Sequence, residues 1–369
     1  MMRKTVIPSS LILLIVLSIL LFYEAGNEEL PGGILNTDAG EYHYEILADQ
    51  LEAPWEIVLL SDGEVLVTER VGRVLLIRDG MMETVYEIGD VGEAGLLGMA
   101  LDPDFEENSS VYLYYAYEET LNRVSRFTFT DGKFIDEEVI IDGIPGHRFH
   151  SGGRLTFGHD GKLYVTTGDA DEPELSQDLE SLAGKVLRVN SDGSLPAENP
   201  FENSPVYAYG IRNAQGLAVH PETGEIFISD HGPTRQDEIN LITPGKNYGW
   251  PLVSCGEGPT EFEDPILCYE DFTLAPSGMD FSPGKTDGNE STYDEVHLYV
   301  AGLRSQMVKR ITFDSGGEVT GEHEIFSNWG RIRSVTFHEG SLYLSTSNRD
   351  GLGAPGEQDD LLIRVTPKN

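Results

Sequence analysis

Basic side chains are scarce in this sequence, whose 369 residues include 25 Lys plus Arg against 63 Asp plus Glu. The formal net charge at pH 7 is −38. A surface of this sign repels polyphosphates, so we expect no nucleic-acid partner and no binding to anionic lipid. The acidic excess is typical of a soluble protein. Each arginine is informative, because it stands out against an acidic background.

Several motifs are also missing. The sequence contains neither the Cys/His spacing of a zinc site nor a Gly-x-x-x-x-Gly-Lys-Ser/Thr phosphate loop nor a Gly-x-Ser-x-Gly nucleophile elbow. Sustained helical periodicity is absent beyond the N-terminal segment. These absences argue against zinc enzymes, P-loop nucleotide-binding proteins and α/β-hydrolases.

Cysteine is nearly absent, with two residues in the chain. Cys255 and Cys268 lie in the loop "SCGEGPTEFEDPILC", which contains no histidine. A small disulfide loop is typical of an exported protein, so we predict that these cysteines are bonded to each other. Two free thiols are the alternative.

The N-terminus carries Arg3 and Lys4, followed by an apolar run at residues 11–22. Such a segment is typical of a membrane-targeting signal. It is shorter than the ~20 residues of a comfortable spanning helix, so a cleaved signal peptide and a retained anchor both stay open. We assign residues 1–36 to this leader and its spacer. Residues 37–369 are then expected outside the cytoplasm, whether secreted, periplasmic or anchored to the outer face of the membrane.

One pattern recurs six times along the chain: a turn with Gly or Asp, a short alternating strand, polar residues and a second apolar strand. The units start at Ser61, Asn108, His159, Glu222, Asp294 and His338. Further short apolar runs between them bring each unit to about four strands, so we predict an all-β fold, a six-bladed β-propeller of four-stranded antiparallel blades, as one domain over residues 37–369. The segment "YHYEIL" is expected to pair with the last blade and close the ring. A pair of β-sandwiches is the alternative.

Unusual polar residues fall in the loops that would converge on the propeller axis, where ligands bind. The arginines among them are Arg154, Arg212, Arg304, Arg331 and Arg333. In so acidic a protein, a convergent guanidinium cluster predicts an anionic ligand with several carboxylates. The alternative is that each arginine pairs with a surface acid.

Two further sites follow from residue chemistry. His150 is a candidate general base, because its ordinary pKa allows proton abstraction at neutral pH, and Asp169 could orient its ring. A purely structural histidine is the alternative. The segment "DHGPTRQDEIN" combines Asp237 and Glu238 with a Gly-Pro turn, which is a donor set suited to Ca²⁺. Acids that simply face water are the alternative here.

Taken in order, the motifs resemble the soluble quinoprotein sugar dehydrogenases, the glucose/sorbosone dehydrogenase family. They include "GEAGLLGMALDPDF", "HSGGRLTFGHDGKLYVTTGD", "YGIRNAQGLAVHPETGEIFISDHGP", "DEINLITPGKNYGWP" and "GRIRSVTF". The pattern is closer to the aldose sugar dehydrogenases than to longer glucose-specific members. The resemblance implies a six-bladed propeller that holds pyrroloquinoline quinone (PQQ), a tricarboxylate, near its axis with Ca²⁺ against the quinone.

The resemblance also implies roles for individual residues. His150 would take the proton from the anomeric hydroxyl of the sugar while hydride passes from C1 to the quinone, with Asp169 as its partner and Arg212 beside it. The implied cofactor contacts are Glu93, Arg212, Asn213, Arg304, Arg331 and Arg333. Backbone carbonyls of Gly232 and Pro233 would bind the catalytic Ca²⁺, and Glu238 with the Tyr248 carbonyl would bind a structural one.

Four positions depart from the family pattern. Arg304 stands where lysine is usual, Glu93 where glutamine is usual, and Ile211 where histidine commonly precedes the Arg-Asn pair. Phe149 stands where some members have an acid before the base.

The sequence therefore predicts a PQQ- and Ca²⁺-dependent aldose dehydrogenase that oxidises C1 to the lactone and passes electrons to an external acceptor, a quinone or a redox protein. One alternative is a non-catalytic extracellular propeller that binds a sugar or protein partner, because fold alone does not fix function. Another is a Ca²⁺-dependent lactone or ester hydrolase, which would require axial side-chain acids that the sequence does not offer.

Overall fold

The strands of this chain form six antiparallel sheets. The computed structural model describes residues 32–37, 39–89, 94–255, 258–283, 295–327 and 329–368. The chain starts with β1 (Gly32–Thr37) and β2 (Gly40–Ala48). The first sheet contains β3 (Pro54–Leu59), β4 (Val65–Glu69), β5 (Arg73–Arg78) and β6 (Met81–Glu87). The second contains β7 (Leu96–Leu101), β8 (Ser110–Glu118), β9 (Leu121–Thr130) and β10 (Lys133–Pro145). The third contains β11 (Leu155–Phe157), β12 (Leu163–Thr166), β13 (Lys185–Val189) and β14 (Val206–Tyr209).

The remaining sheets continue the same up-and-down order. The fourth contains β15 (Ala214–Val219), β16 (Ile226–Asp230), β17 (Asp237–Ile242) and β18 (Leu267–Tyr269). The fifth contains β19 (Pro276–Pro283), β20 (Glu295–Gly302), β21 (Met307–Asp314) and β22 (Val319–Ile325). The sixth contains β23 (Ile332–His338), β24 (Ser341–Thr346) and β25 (Leu362–Pro367), followed by β2 and β1. The prediction of a six-bladed β-propeller is confirmed, and the β-sandwich alternative is wrong.

The ring closes through a strand from the start of the chain. Strand β2 pairs antiparallel with β25, so that Tyr44 lies opposite Val365 and Ile46 opposite Ile363. This confirms the pairing predicted for "YHYEIL". Strand β1 adds to the outer side of β2, which makes this blade five-stranded. The fifth strand was not expected, because its residues fall mainly in the predicted spacer.

Blades bury both of their faces against neighbouring blades. In β8, Tyr112 and Tyr114 point to the same face, and both are fully buried together with the residues between and beside them. A strand that is buried on both faces has a nearly continuous apolar sequence, and β8 has such a sequence. The Tyr114 hydroxyl donates to the carbonyl of Ser151 at 2.9 Å. Packing between blades therefore fixes the loop that follows His150.

A disulfide joins Cys255 and Cys268, whose Cα atoms are 5.6 Å apart. The predicted bond is confirmed. Cys268 lies on β18 opposite Glu238 of β17, and the backbone N–H of Cys255 donates to the Glu238 carboxylate at 2.8 Å. The disulfide therefore ties the loop after β17 to the edge of the fourth blade.

Helix is confined, within the described ranges, to Phe105–Asn108 and a single 3₁₀ turn at Pro173–Ser176. None of the described helical segments has the length and hydropathy needed to cross a bilayer. The apolar run at residues 11–22 lies outside the described residues. The domain boundary at residue 37 stays a prediction, although β1 already begins at Gly32.

A buried ion pair joins the first and third blades. Arg154 Nη1 lies 2.5 Å from Glu56 Oε1, and the two side chains are 4% and 8% exposed. The Arg154 guanidinium also lies over the Trp55 ring at 4.0 Å, and its Nε donates to the Gln215 carbonyl at 2.9 Å. Arg154 therefore makes structural contacts between blades and does not line the axial cavity, and its part in the converging set stays a prediction.

Replacing Arg154 with methionine should lower the free energy of unfolding by about 3–5 kcal/mol, because it leaves the Glu56 carboxylate buried without its counter-ion. Urea denaturation at neutral pH measures the loss. The double variant Arg154→Met, Glu56→Gln is the matched control and should recover part of it. A single variant as stable as the unsubstituted chain would mean that the pair makes no net contribution.

Candidate active site

One cavity lies on the propeller axis, because its lining includes residues at or just before the innermost strand of each blade. These are Trp55, Leu97, Gly152, Gln215, Ala275 and Arg333. Its volume is about 730 Å³, within the usual range for a small-molecule site. His150, Asn213, Arg304 and Arg331 also line it. The structure thus brings together five of the predicted site residues in one concave space.

His150 and Asp169 form a hydrogen-bonded pair. His150 Nδ1 lies 2.8 Å from Asp169 Oδ1, and the side chains are 18% and 0% exposed. Gly168 makes this approach possible, because a Cβ at that position would clash with the His150 carbonyl oxygen. His150 itself has a φ of 54°, in the left-handed region. The small residues around the pair therefore serve to bring two chain segments into contact.

Asp169 is held by further donors. Its Oδ2 accepts from the Trp250 indole Nε1 at 2.8 Å, and its Oδ1 accepts from the backbone N–H of Asp171 at 2.9 Å. These contacts fix the carboxylate on Nδ1 of the imidazole, and His150 Nε2 has no hydrogen-bond partner among the described residues. The tautomer that this arrangement favours carries its proton on Nδ1. The geometry is that of a base with an orienting acid.

Arg331 and Arg333 project from the start of the sixth blade and share one acid. Asp350 Oδ2 accepts from Arg331 Nη2 at 2.7 Å and from Arg333 Nη2 at 3.1 Å. Burial and the neighbouring cation Arg70 lower the pKa of Arg333 to about 9. Burial alone would raise the pKa of Asp350, but Arg333 and Arg331 outweigh it and hold that pKa below its usual range. The two arginines therefore lie side by side with an internal counter-ion, and their contact with a cofactor stays a prediction.

Arg304 is exposed and lines the cavity, in line with its predicted position near the axis. Glu93 lies outside the described residues. Asn213 lines the cavity, and its Oδ1 accepts the backbone N–H of Gly152 at 3.1 Å. Asn213 therefore also supports the loop of His150.

Arg212 lies just outside the cavity lining. Its Nη1 donates to the carbonyl oxygens of His231 at 3.1 Å and Gly232 at 3.0 Å, and its guanidinium lies 5.2 Å from the Trp250 ring. The cation therefore sits on a carbonyl that the resemblance assigns to Ca²⁺. Its role at the cofactor stays a prediction.

The predicted metal ligands are close in sequence but differ in surroundings. Asp237 uses both oxygens to accept backbone N–H groups, from Gly232 at 3.0 Å and from Ala275 at 2.8 Å. Glu238 accepts from Cys255 N and from Asn240 Nδ2, the latter at 3.1 Å. Burial raises the pKa of both carboxyls. Within the described residues, no group of three or more His, Cys, Asp and Glu side chains is arranged to hold a metal ion.

Gly232, Glu238 and Tyr248 nevertheless line one narrow space beside the main cavity, together with Arg212 and Asp230. Pro233 follows in an exposed turn. Burial and the nearby Glu238 carboxylate raise the pKa of Asp230 to about 7. Asp230 and Glu238 are therefore buried here at a free-energy cost that a nearby cation would reduce. The assignment of all five metal ligands stays a prediction.

Sequence reasoning missed several residues of the site. Arg70, Arg148, His231 and Asp350 line the cavity, and Trp250 supports Asp169. Burial and the cations Arg333 and Arg212 lower the pKa of His231 to about 3, so its imidazole is neutral. His231 stands between Asp230 and Gly232 in a motif already singled out, and this position could have identified it as a site residue. Nothing local marked Asp350, which stands in a glycine-rich loop.

Comparisons with known proteins relate this chain to sugar dehydrogenases. The aldose sugar dehydrogenase YliI of Escherichia coli strain K12 is 30% identical over 359 residues, which cover 88% of this chain and 93% of that protein. The PQQ-bound aldose sugar dehydrogenase of Streptomyces coelicolor is 32% identical, with a TM-score of 0.80 over 92% of this chain and 99% of that one. A Thermus thermophilus oxidoreductase described as a glucose dehydrogenase is 40% identical, with a TM-score of 0.80 over 90% of this chain and 100% of that one.

The match to the family itself spans most of the propeller. It runs over residues 51–354, from the segment before the first blade to the loop that carries Asp350. This range includes both members of the His150–Asp169 pair and both arginines of the sixth blade. The chain belongs to the Glucose / Sorbosone dehydrogenase family.

Proposed function

We propose that this protein is a PQQ-dependent aldose sugar dehydrogenase that works outside the cytoplasm and oxidises C1 of the sugar to the lactone. The observation that carries the proposal is the His150–Asp169 pair at the edge of an axial cavity lined by arginines. The relatives named above support the same activity class. The disulfide and the apolar run at residues 11–22 support the location.

The residues present fit PQQ, which is a tricarboxylate. Buried donors without a partner among the described residues include Arg333 Nε, next to the axial cavity, and Arg212 Nε, close beside it. Unpaired buried donors of this kind indicate that a ligand completes the site. Arg331, Arg333, Arg304 and Asn213 would hold the cofactor, and charge-assisted hydrogen bonds from guanidinium groups suit its carboxylates.

The carbonyls of Gly232 and Pro233 would hold the catalytic Ca²⁺. Gly232 O accepts from the guanidinium of Arg212 at 3.0 Å, so this donor would have to move aside for the ion. Glu238 and the Tyr248 carbonyl would hold a second ion, with Asp237 bracing the Gly232 turn. Bound PQQ and Ca²⁺ supply the two-electron acceptor and the Lewis acid that no side chain of the chain provides.

The protein's own residues accept and stabilise one proton. His150 Nε2 accepts the proton of the anomeric hydroxyl, because Nδ1 is committed to Asp169. Asp169 then stabilises the imidazolium, while Trp250 and the Asp171 N–H keep the carboxylate from turning away. The Asp169 side chain is 0% exposed, so its interaction with the imidazolium is shielded from water. Electrons leave to an external acceptor, either a quinone or a redox protein.

Addition of PQQ and Ca²⁺ to the purified chain tests the proposal. We expect a change in the PQQ absorption spectrum on binding and dye reduction that depends on added aldose. Omission of PQQ and chelation of Ca²⁺ are the controls, and both should abolish dye reduction. A chain that leaves the PQQ spectrum unchanged would instead support the non-catalytic sugar- or protein-binding propeller.

A further inference from the structure

The carboxylate of Asp350 occupies the arginine pair of the sixth blade. Its Oδ2 accepts from Arg331 Nε at 3.0 Å, from Arg331 Nη2 at 2.7 Å and from Arg333 Nη2 at 3.1 Å. The Asp350 side chain is 1% exposed, and the two arginines are 10% and 5% exposed. One carboxylate oxygen thus receives three charge-assisted hydrogen bonds from two buried cations.

These contacts engage three of the six guanidinium nitrogens of the arginine pair. The remaining nitrogen of Arg331, Nη1, donates to the carbonyl of Leu303 at 3.4 Å. Arg333 Nη1 donates to Gln215 Oε1 at 2.6 Å, which leaves Arg333 Nε as the nitrogen without a partner among the described residues. An anionic ligand therefore meets a pair whose strongest donors are already engaged.

Asp350 comes from a loop, and not from the strand framework. It follows β24 and precedes Gly351 and Leu352, both exposed, and all three residues line the cavity. Its second oxygen, Oδ1, accepts the backbone N–H of Leu352 at 2.9 Å. Exposed loops move more easily than packed strands. The acid therefore lies on a loop of the cavity wall, directly before two exposed residues.

We propose that Asp350 is an internal counter-ion that holds the anion site of Arg331 and Arg333 until a ligand carboxylate replaces it, and that it thereby sets the affinity of the cavity for polyanionic ligands. The identification of that ligand as PQQ rests on the proposed function. The competition itself rests on the contacts of the arginine pair.

The proposal predicts that removal of the Asp350 charge lowers the stability of the ligand-free protein and raises its affinity for anions. Without the Asp350 charge, two buried guanidinium groups face each other without an anion, so the ligand-free protein loses stability. An added anion then gains the donors that Asp350 had used, and no like charge stands beside it. A residue that merely positioned the arginines for the ligand would lower stability and affinity together.

The test compares Asp350→Asn with Glu357→Gln, which removes one charge from an exposed position of the same loop. Calorimetric titration of each protein with PQQ gives the dissociation constant. We expect Asp350→Asn to bind PQQ about tenfold more tightly than the unsubstituted chain, and Glu357→Gln to bind it within about twofold. Thermal unfolding without ligand should occur at a lower temperature for Asp350→Asn alone.

A second probe, inorganic sulfate, tests the competition without PQQ. At constant ionic strength kept with chloride, sulfate should raise the unfolding temperature of Asp350→Asn more than that of either other protein, because it occupies the vacated arginine pair. If Asp350→Asn does not fold in plain buffer, sulfate should restore folding. Equal stabilisation of all three proteins, or no rescue by sulfate, overturns the proposal.

The two hypotheses can fail separately. If the unsubstituted chain binds PQQ and Asp350→Asn binds it equally or more weakly, the counter-ion proposal is wrong and the proposed function stands. If neither protein binds PQQ, the proposed function is wrong, and the sulfate comparison still decides whether Asp350 competes for the arginine pair.

Discussion

His150→Ala should lower turnover about 10²- to 10⁴-fold, the usual contribution of a positioned general base, while PQQ binding stays within about threefold. The substitution leaves the surrounding frame intact, because Asp169 keeps its bonds to Trp250 and to the Asp171 N–H. Single-turnover dye reduction at saturating sugar measures the chemical step, and the PQQ spectrum measures binding. The loss should appear in kcat, since the base acts in the transition state.

His147→Ala is the matched control. This imidazole lies three residues upstream, outside the cavity lining, and its Nδ1 accepts the backbone N–H of Phe149 at 3.4 Å. Its removal should change turnover by less than about threefold. If His150→Ala reduced dye at the rate of His147→Ala, His150 would have no part in proton transfer.

Arg333→Met should weaken PQQ binding about 10- to 100-fold, because it removes a buried cation that faces the cavity. Arg331 remains to pair with Asp350, so the fold should tolerate the change. Turnover should return toward that of the unsubstituted chain when PQQ is raised to saturation. A loss of this kind lies in cofactor affinity and not in the chemical step.

Arg364→Gln provides the comparison for Arg333→Met. Arg364 is 43% exposed and pairs with Glu45 of the neighbouring strand β2. It lies on β25, which two strands separate from the axial side of the sixth blade. It removes the same charge, so a general effect of net charge would weaken PQQ binding equally in both variants. Equal dissociation constants would show that Arg333 does not contact the cofactor.

Much of the fold was accessible from the sequence, because its signals are local. Repeated turns and alternating strands predicted the blades, and an unassigned strand near the start predicted the closure with β25. Strand β1 escaped detection, since "GGILNT" is short, half-exposed and adjacent to the leader. This segment forms a strand because it pairs with β2, and such pairing depends on the partner strand as well as on the segment's own sequence.

The site residues likewise fall into those that local sequence signals predicted and those that depend on the fold. Arg331 and Arg333 stand two residues apart at the start of one strand, so their shared face follows from the alternation of side chains. His150 and Asp169 were paired first from their chemistry and then through the resemblance, and the space left by Gly168 explains their contact. Trp250 was missed because its indole reaches Asp169 across 81 residues of sequence. Asp350 looks like any surface acid until the fold places it beside two guanidinium groups.

The position of β1 has a consequence for where the described chain enters the propeller. Because β1 is the outermost strand of the closing blade and β23 the innermost, Gly32 lies on the circumference of the disc, at the seam. The propeller therefore begins at its rim. The strand that carries Gly32 and the axial cavity lie at opposite ends of the sixth blade.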